Sequence, residues 1–212
     1  MRFVQRFFGQ IAAGLSVLLV LTVILGIGYP AAVWAVSRIG SNSAEGSPLT
    51  DANGCVVGSS LVGVDSQVDP GQPDPFFHAR VTGSVSEKDA FATGDPAAGL
   101  PTNQGPSSEA LAAFVEERRE VIAERENVDP AAVPVDALTG SGSGIDPHIS
   151  PAYAQIQIER VATVNGMSQD TVASLVAEHT DGRQFGFLGS ETVNVAELNV
   201  ALGLTAPGCG TR

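Results

Sequence analysis

Cysteines and aromatic residues are scarce in this 212-residue sequence: two Cys, one Trp, two Tyr and nine Phe. Two cysteines exclude a disulfide-dense scaffold and a four-cysteine zinc site. With so few rings, a core has to be assembled mainly from Val, Leu, Ile, Ala and Phe. Acidic side chains are absent before Glu45, although the chain holds 23 of them. The only charged side chains up to position 38 are Arg2, Arg6 and Arg38, which give residues 1–38 a charge of +3. The remaining eight basic and 23 acidic residues leave residues 39–212 at −15. So acidic a region argues against nucleic acid, and against an anionic membrane surface, as its partner. The length fits one domain with an appendage, or at most two small domains.

Between Arg6 and Arg38 there is no charged side chain. Residues 11–36 are almost continuously apolar and exceed the roughly 20 residues that a helix needs to cross a bilayer core. Tyr29 and Trp34 lie near the far end, where amphipathic rings favour the membrane interface. Pro30 removes one backbone bond there and is expected to disturb the last turns. A secretory signal peptide is the rival reading, but its apolar region runs only about 7–15 residues. The sequence therefore reads as residues 1–10 cytoplasmic, 11–36 transmembrane, 37–55 a Ser/Gly/Asn-rich linker, and 56–212 an acidic extracytoplasmic domain. Arg2 and Arg6 on one flank against Arg38 on the other set this orientation through the positive-inside bias. Gly9, Ala13 and Ser16, with Thr22 and Gly26 further on, are small residues that would let another helix approach closely. In an oxidising extracytoplasmic space Cys55 and Cys209 could form a disulfide or remain two thiols.

Within the domain, Val56-Val57 and Leu61-Val62 read as an interrupted strand. Phe76–Val81 reads as a second strand or extended segment, and residues 82–106 as an irregular excursion. Residues 107–127 form the clearest soluble helix, capped by Ser107 or Ser108, with Leu111, Phe114, Val115 and Ile122 on one face. The run Glu116-Glu117-Arg118-Arg119-Glu120 reads as its solvated side. Thr139-Gly-Ser-Gly-Ser-Gly144 fits no phosphate-binding or nucleophile-elbow pattern and reads as a turn. Pro151 opens a helix that ends at Asn165-Gly166, and Ser168 caps the next. That pair resembles a DNA-binding helix-turn-helix, but residues 151–181 hold four acids against Arg160 alone, which excludes phosphate recognition. Residues 193–202 alternate like a strand, yet Asn194 followed by Glu197 resembles a capping box and favours a short helix. The fold class expected is α+β: one N-terminal transmembrane helix, then one mixed domain.

Catalytic machinery is not evident. His78, His148 and His179 have no His or Cys at ligand spacing, so no metal site is expected. Ser143, Asp146 and His148 crowd one loop without the reach of a triad. The chain reads as a non-enzyme.

The stretches Pro134–Thr139, Gly140–Pro151, Gln157-Ile-Glu-Arg-Val-Ala162, Gly182-Arg-Gln-Phe-Gly-Phe-Leu-Gly189 and Val193–Leu202 resemble, in order, the C subunit of the Kdp-type ATP-driven potassium pump (KdpC). Gly28-Tyr29-Pro30, Gly58–Gly63, Phe76–Arg80 and Asn103–Pro106 match the family's earlier motifs. Val64 and Val81 depart from it, standing where the family usually has Gln and Pro. The resemblance implies a non-catalytic subunit of a high-affinity bacterial potassium uptake complex. Its partners would be a channel-like potassium-binding subunit, a P-type ATPase subunit and a small single-span subunit. The complex uses ATP, Mg²⁺ and K⁺; no cofactor is expected on this chain itself. The family is described as a catalytic chaperone that raises the ATPase subunit's nucleotide affinity, and Gln157 stands at the position linked to nucleotide. An extracytoplasmic domain cannot touch cytoplasmic ATP, so that effect would be indirect. The alternative is a free-standing, membrane-anchored extracytoplasmic binding module.

Overall fold

The computed structural model describes residues 2–69, 71–80 and 103–205. Most of the expected 82–106 excursion, Val81 and Cys209 lie outside them. The chain divides into two compact units, Met1–Ser47 and Pro48–Arg212.

The first unit is helical from Arg2 to Ala44, 43 residues, and is long and apolar enough to cross a membrane. It comprises α1 (Arg2–Val23), a π-turn (Ile24–Gly28), α2 (Tyr29–Ser37), a 3₁₀ turn (Arg38–Gly40) and α3 (Ser41–Ala44). The disturbance expected from Pro30 takes the form of the π-turn. Proline has no N–H, and its ring crowds the carbonyl four residues back. Here the Tyr29 N–H reaches instead to the Ile24 carbonyl, five residues back, which widens the turn beneath the ring. Arg38 stacks over Trp34 at 5.6 Å and pairs with Glu45 at 2.6 Å. The polar stretch read as a tether is therefore mostly ordered: helix continues to Ala44, and the second unit begins at Pro48.

The second unit opens with an antiparallel hairpin, β1 (Pro48–Thr50) and β2 (Val56–Ser59). Asp51 shapes its turn by accepting from the backbone N–H groups of Asn53 and Cys55, both at 2.9 Å. Gly63 then passes so close to the 139–147 loop that a Cβ there would lie 2.8 Å from the Asp146 carbonyl carbon. Its N–H donates to the Ile145 carbonyl at 2.8 Å. Backbone-to-backbone contact of this kind admits only glycine.

Four helix starts follow the rules read from the sequence. Ser108 caps α4 (Glu109–Glu126), Ser150 caps α6 (Pro151–Asn165), Ser168 caps α7 (Gln169–Glu178), and Asn194 caps α8 (Val195–Ala201). Each side-chain oxygen accepts from the N–H three residues on, satisfying a donor that has no partner within the helix. Between α4 and α6 lie the short α5 (Val135–Leu138) and β3 (His148–Ile149). β4 (Thr180–Asp181) and β5 (Thr192–Asn194) complete a three-stranded antiparallel sheet in the order β3-β5-β4. Residues 193–202 are thus strand first and helix second: Val193 pairs with Ile149 and Thr180 in the sheet, and Asn194 then switches the chain into α8. The observed class is α+β, with a core around Phe77, Ile122, Leu138, Ile149, Val161, Val172, Val193 and Leu198.

One expected surface is not solvated. Within Glu116–Glu120, Arg118 is only 1% exposed. It falls four residues after Phe114 and four before Ile122, so helical periodicity places it on the buried face. Its Nη1 donates to the Leu138 carbonyl at 2.9 Å, and its guanidinium lies 5.7 Å from the Phe114 ring. Burial lowers the Arg118 pKa, but the carbonyl and ring contacts compensate part of the desolvation.

Candidate functional site

Among the described residues, the extended segment Phe76–Arg80 pairs with no strand. Two side-chain amides take the place of one. Asn199 on α8 accepts from the Phe77 N–H (2.8 Å) and donates to the Phe77 carbonyl (2.9 Å). Gln157 on α6 accepts from the His78 N–H (2.7 Å) and donates to the carbonyls of His78 (3.2 Å) and Tyr153 (3.3 Å). A primary amide has the same donor and acceptor pair as a peptide unit, so each mimics one rung of a sheet. Gln157 is fully buried and its amide is fully engaged inside the domain.

Around this clamp lies a cluster of charges. His78 is 4% exposed, with Nδ1 3.1 Å from Asp65 and Nε2 2.5 Å from Asp74. Arg160 pairs with Glu126 at 2.9 Å and donates to the carbonyls of Asp74 (2.8 Å) and Phe76 (2.9 Å). Arg125 bonds Glu126 at 2.6 Å and the Tyr153 hydroxyl at 3.0 Å. With the imidazole protonated, three cations (His78, Arg125, Arg160) face three carboxylates (Asp65, Asp74, Glu126). Burial alone would push the His78 imidazolium down, yet Asp65 and Asp74 outweigh it and raise its pKa. Burial likewise works to raise Asp74, and the bond from His78 reverses that, leaving its pKa lowered. Burial pushes the Tyr153 hydroxyl up to about 12, so it stays neutral as Arg125's acceptor. Buried charges need this degree of pairing because an uncompensated one is costly. The cluster ties the 65–80 segment to α4 and α6; its side chains are paired with one another, and Arg125, Glu126 and Arg160 also line an open cleft of about 210 Å³.

The other residues singled out from the sequence are dispersed. Gly9, Ala13 and Ser16 share one face of α1, and Ser16 returns its hydroxyl to the Ala12 carbonyl at 2.8 Å. At about 100° per residue, Thr22 falls on a face roughly 150° from that one, so the five small residues do not form a single stripe. Cys55 is disulfide-bonded. His148 meets Asp146 at 3.0 Å, while the Ser143 hydroxyl accepts from the Ile145 N–H at 3.2 Å; the structure gives no Ser–His contact in this loop. An apolar cleft of about 410 Å³ lies between the hairpin and α8, lined by Leu49, Val56, Val62, Phe76, Val200 and Leu204.

Sequence reasoning did not find the partners of His78. Asp74 sits four residues before it and offered a local signal, but Asp65 is brought in by a loop.

A single membrane-capable helix followed by this clamped α+β unit is matched from residue 11 to residue 203 by the family model described as "KdpC: K+-transporting ATPase, c chain". The chain belongs to the KdpC family. A potassium-transporting ATPase KdpC subunit of Kineococcus radiotolerans is 46% identical over 198 residues, covering 93% of this chain and 95% of that protein. That of Koribacter versatilis is 37% identical, covering 89% and 91%; that of Mycobacterium bovis BCG is 40% identical, covering 91% and 97%. KdpC membership makes the chain an accessory subunit of a potassium-transporting ATPase rather than its catalytic one.

Proposed function

We propose that the chain anchors an extracytoplasmic domain to a high-affinity potassium uptake complex and stabilises that assembly. Its partners in this reading are a channel-like potassium-binding subunit, a P-type ATPase subunit and a small single-span subunit. The N-terminus faces the cytoplasm and the unit starting at Pro48 faces outward. Arg2 and Arg6 before the apolar helix support this orientation. So does the oxidised state of Cys55, since disulfides persist in extracytoplasmic space. With only two cysteines in the chain, the bridge proposed is Cys55–Cys209.

One observation carries the view that nucleotide affinity is raised without contact: the Gln157 amide is buried and bonded to His78 and Tyr153. In this reading Gln157 holds the domain's shape, and ATP and Mg²⁺ remain with the ATPase subunit. The domain acts by favouring one conformational state of the pump.

The test of location is labelling of Glu124→Cys, an exposed position on α4, with a membrane-impermeant maleimide. Reaction in intact cells is expected. Reaction only after the membrane is opened would overturn the topology and reopen direct nucleotide contact.

A further inference from the structure

Residues 182–190 form a knob between β4 and β5. Its backbone is closed on itself: Gln184 and Leu188 exchange both N–H···O bonds at 2.9 Å, and Gly186 N–H donates to Arg183 at 2.9 Å. Phe185 and Gly186 adopt positive φ (54° and 80°), which folds the tip tightly. The knob nevertheless points its apolar side chains outward: Phe185 is 79% exposed, Phe187 71% and Leu188 48%. Among the described residues of the second unit these are the only exposed aromatic rings; Phe77, Phe114 and Tyr153 are buried. A loop whose backbone needs nothing from its neighbours holds two rings in water in a preset geometry. That arrangement loses little freedom on binding and offers the large, rigid apolar contacts that anchor interfaces.

Charge selects the occupant. Asp181 and Glu191 flank the knob, Arg183 is the one cation within it, and the chain as a whole carries −12. An anionic lipid surface and a second copy of this chain would both be repelled. We propose that this knob is the docking surface for a protein subunit of the potassium-transporting ATPase, one presenting an apolar socket with a basic rim. The proposal rests on the subunit reading above and locates its contact.

The test uses the full-length tagged chain in membranes that contain the whole complex, with Phe187 replaced by the photoreactive analogue p-benzoylphenylalanine. Illumination is expected to join the chain to another subunit of the complex, whereas the same analogue at Val135, 76% exposed on α5, joins it to none. F185S/F187S is expected to speed exchange of the chain out of the solubilised complex at least ten-fold. Its thermal midpoint should stay unchanged, because neither ring is packed. An adduct with lipid, an adduct with a second copy, equal capture from Val135, or no adduct in a recovered complex would each overturn the docking surface and leave the subunit reading intact. Failure to recover any other subunit with the tagged chain would overturn both.

Discussion

Leu18, Leu19, Leu25 and Ile27 in the N-terminal helix are 60–65% exposed, whereas Val161, Val172, Val193 and Leu198 in the second unit are at 0%. No residue of α1 or α2 is buried at all. The second unit shows the opposite economy, covering even Arg118, Glu126 and His78. One region leaves its apolar surface for a surrounding phase to cover; the other supplies its own cover, at the cost of burying charges that must then be neutralised. The two units should therefore fail differently. The helix fails by losing its environment, and the domain fails by losing individual internal partners.

The largest effect tests that contrast directly. Deleting residues 11–36 is expected to abolish sedimentation with membranes and co-purification with the other ATPase subunits, measured by fractionation and affinity recovery. A deleted chain that still sediments and co-purifies would break the comparison.

Within the domain, Arg160→Ala is expected to destabilise by about 1–3 kcal/mol, because Glu126 keeps Arg125 but its second carboxylate oxygen loses its donor in a buried setting. The two backbone carbonyls that Arg160 serves also lose a donor. The denaturant midpoint of the full chain in detergent measures this, and a shift no larger than that of an exposed substitution would deny the cluster a structural role. Gly63→Ala is expected to cost about 1–3 kcal/mol, since its Cβ would meet the backbone of Asp146 and Pro147 rather than a flexible side chain.

The smallest expected effect is on pH dependence. The raised His78 value means its stabilising share is complete below about pH 6.5 and is lost as pH climbs through the folded-state value. Asp74, lowered, contributes above about pH 3.8 and is lost as pH falls through its folded value. The groups set around His78 are Asp65, Asp74 and Arg125. The domain should lose stability on the alkaline side, and His78→Gln should flatten that limb selectively. An unchanged alkaline limb in the variant would show that His78 does not titrate in its own cluster.

Much of the organisation was legible because it is local. An apolar run bounded by Arg6 and Arg38 needs no tertiary knowledge, and Ser108, Ser168 and Asn194 cap helices by bonding only three residues ahead. What escaped the sequence is what links distant positions. Arg118 read as part of a charged surface because the run was taken by composition instead of by its place on the helix. Phe76–Arg80 read correctly as extended, but its hydrogen-bond partners are the side chains of Gln157 and Asn199, 79 and 122 residues away. Residues 193–202 carried both a strand signal and a cap signal, and both were right, divided at Asn194.

Hydrophobicity and charge along the chain by themselves determined a membrane-capable helix and an acidic domain, while the family was carried by ordered motifs and the matching family model. Only the folded structure decided that Gln157 is a buried clamp, that His78 is held between two carboxylates, and that Phe185 and Phe187 stand in solvent. The physical reason is that burial and pairing are properties of surfaces brought together by loops, and no local periodicity encodes which surface a loop will deliver.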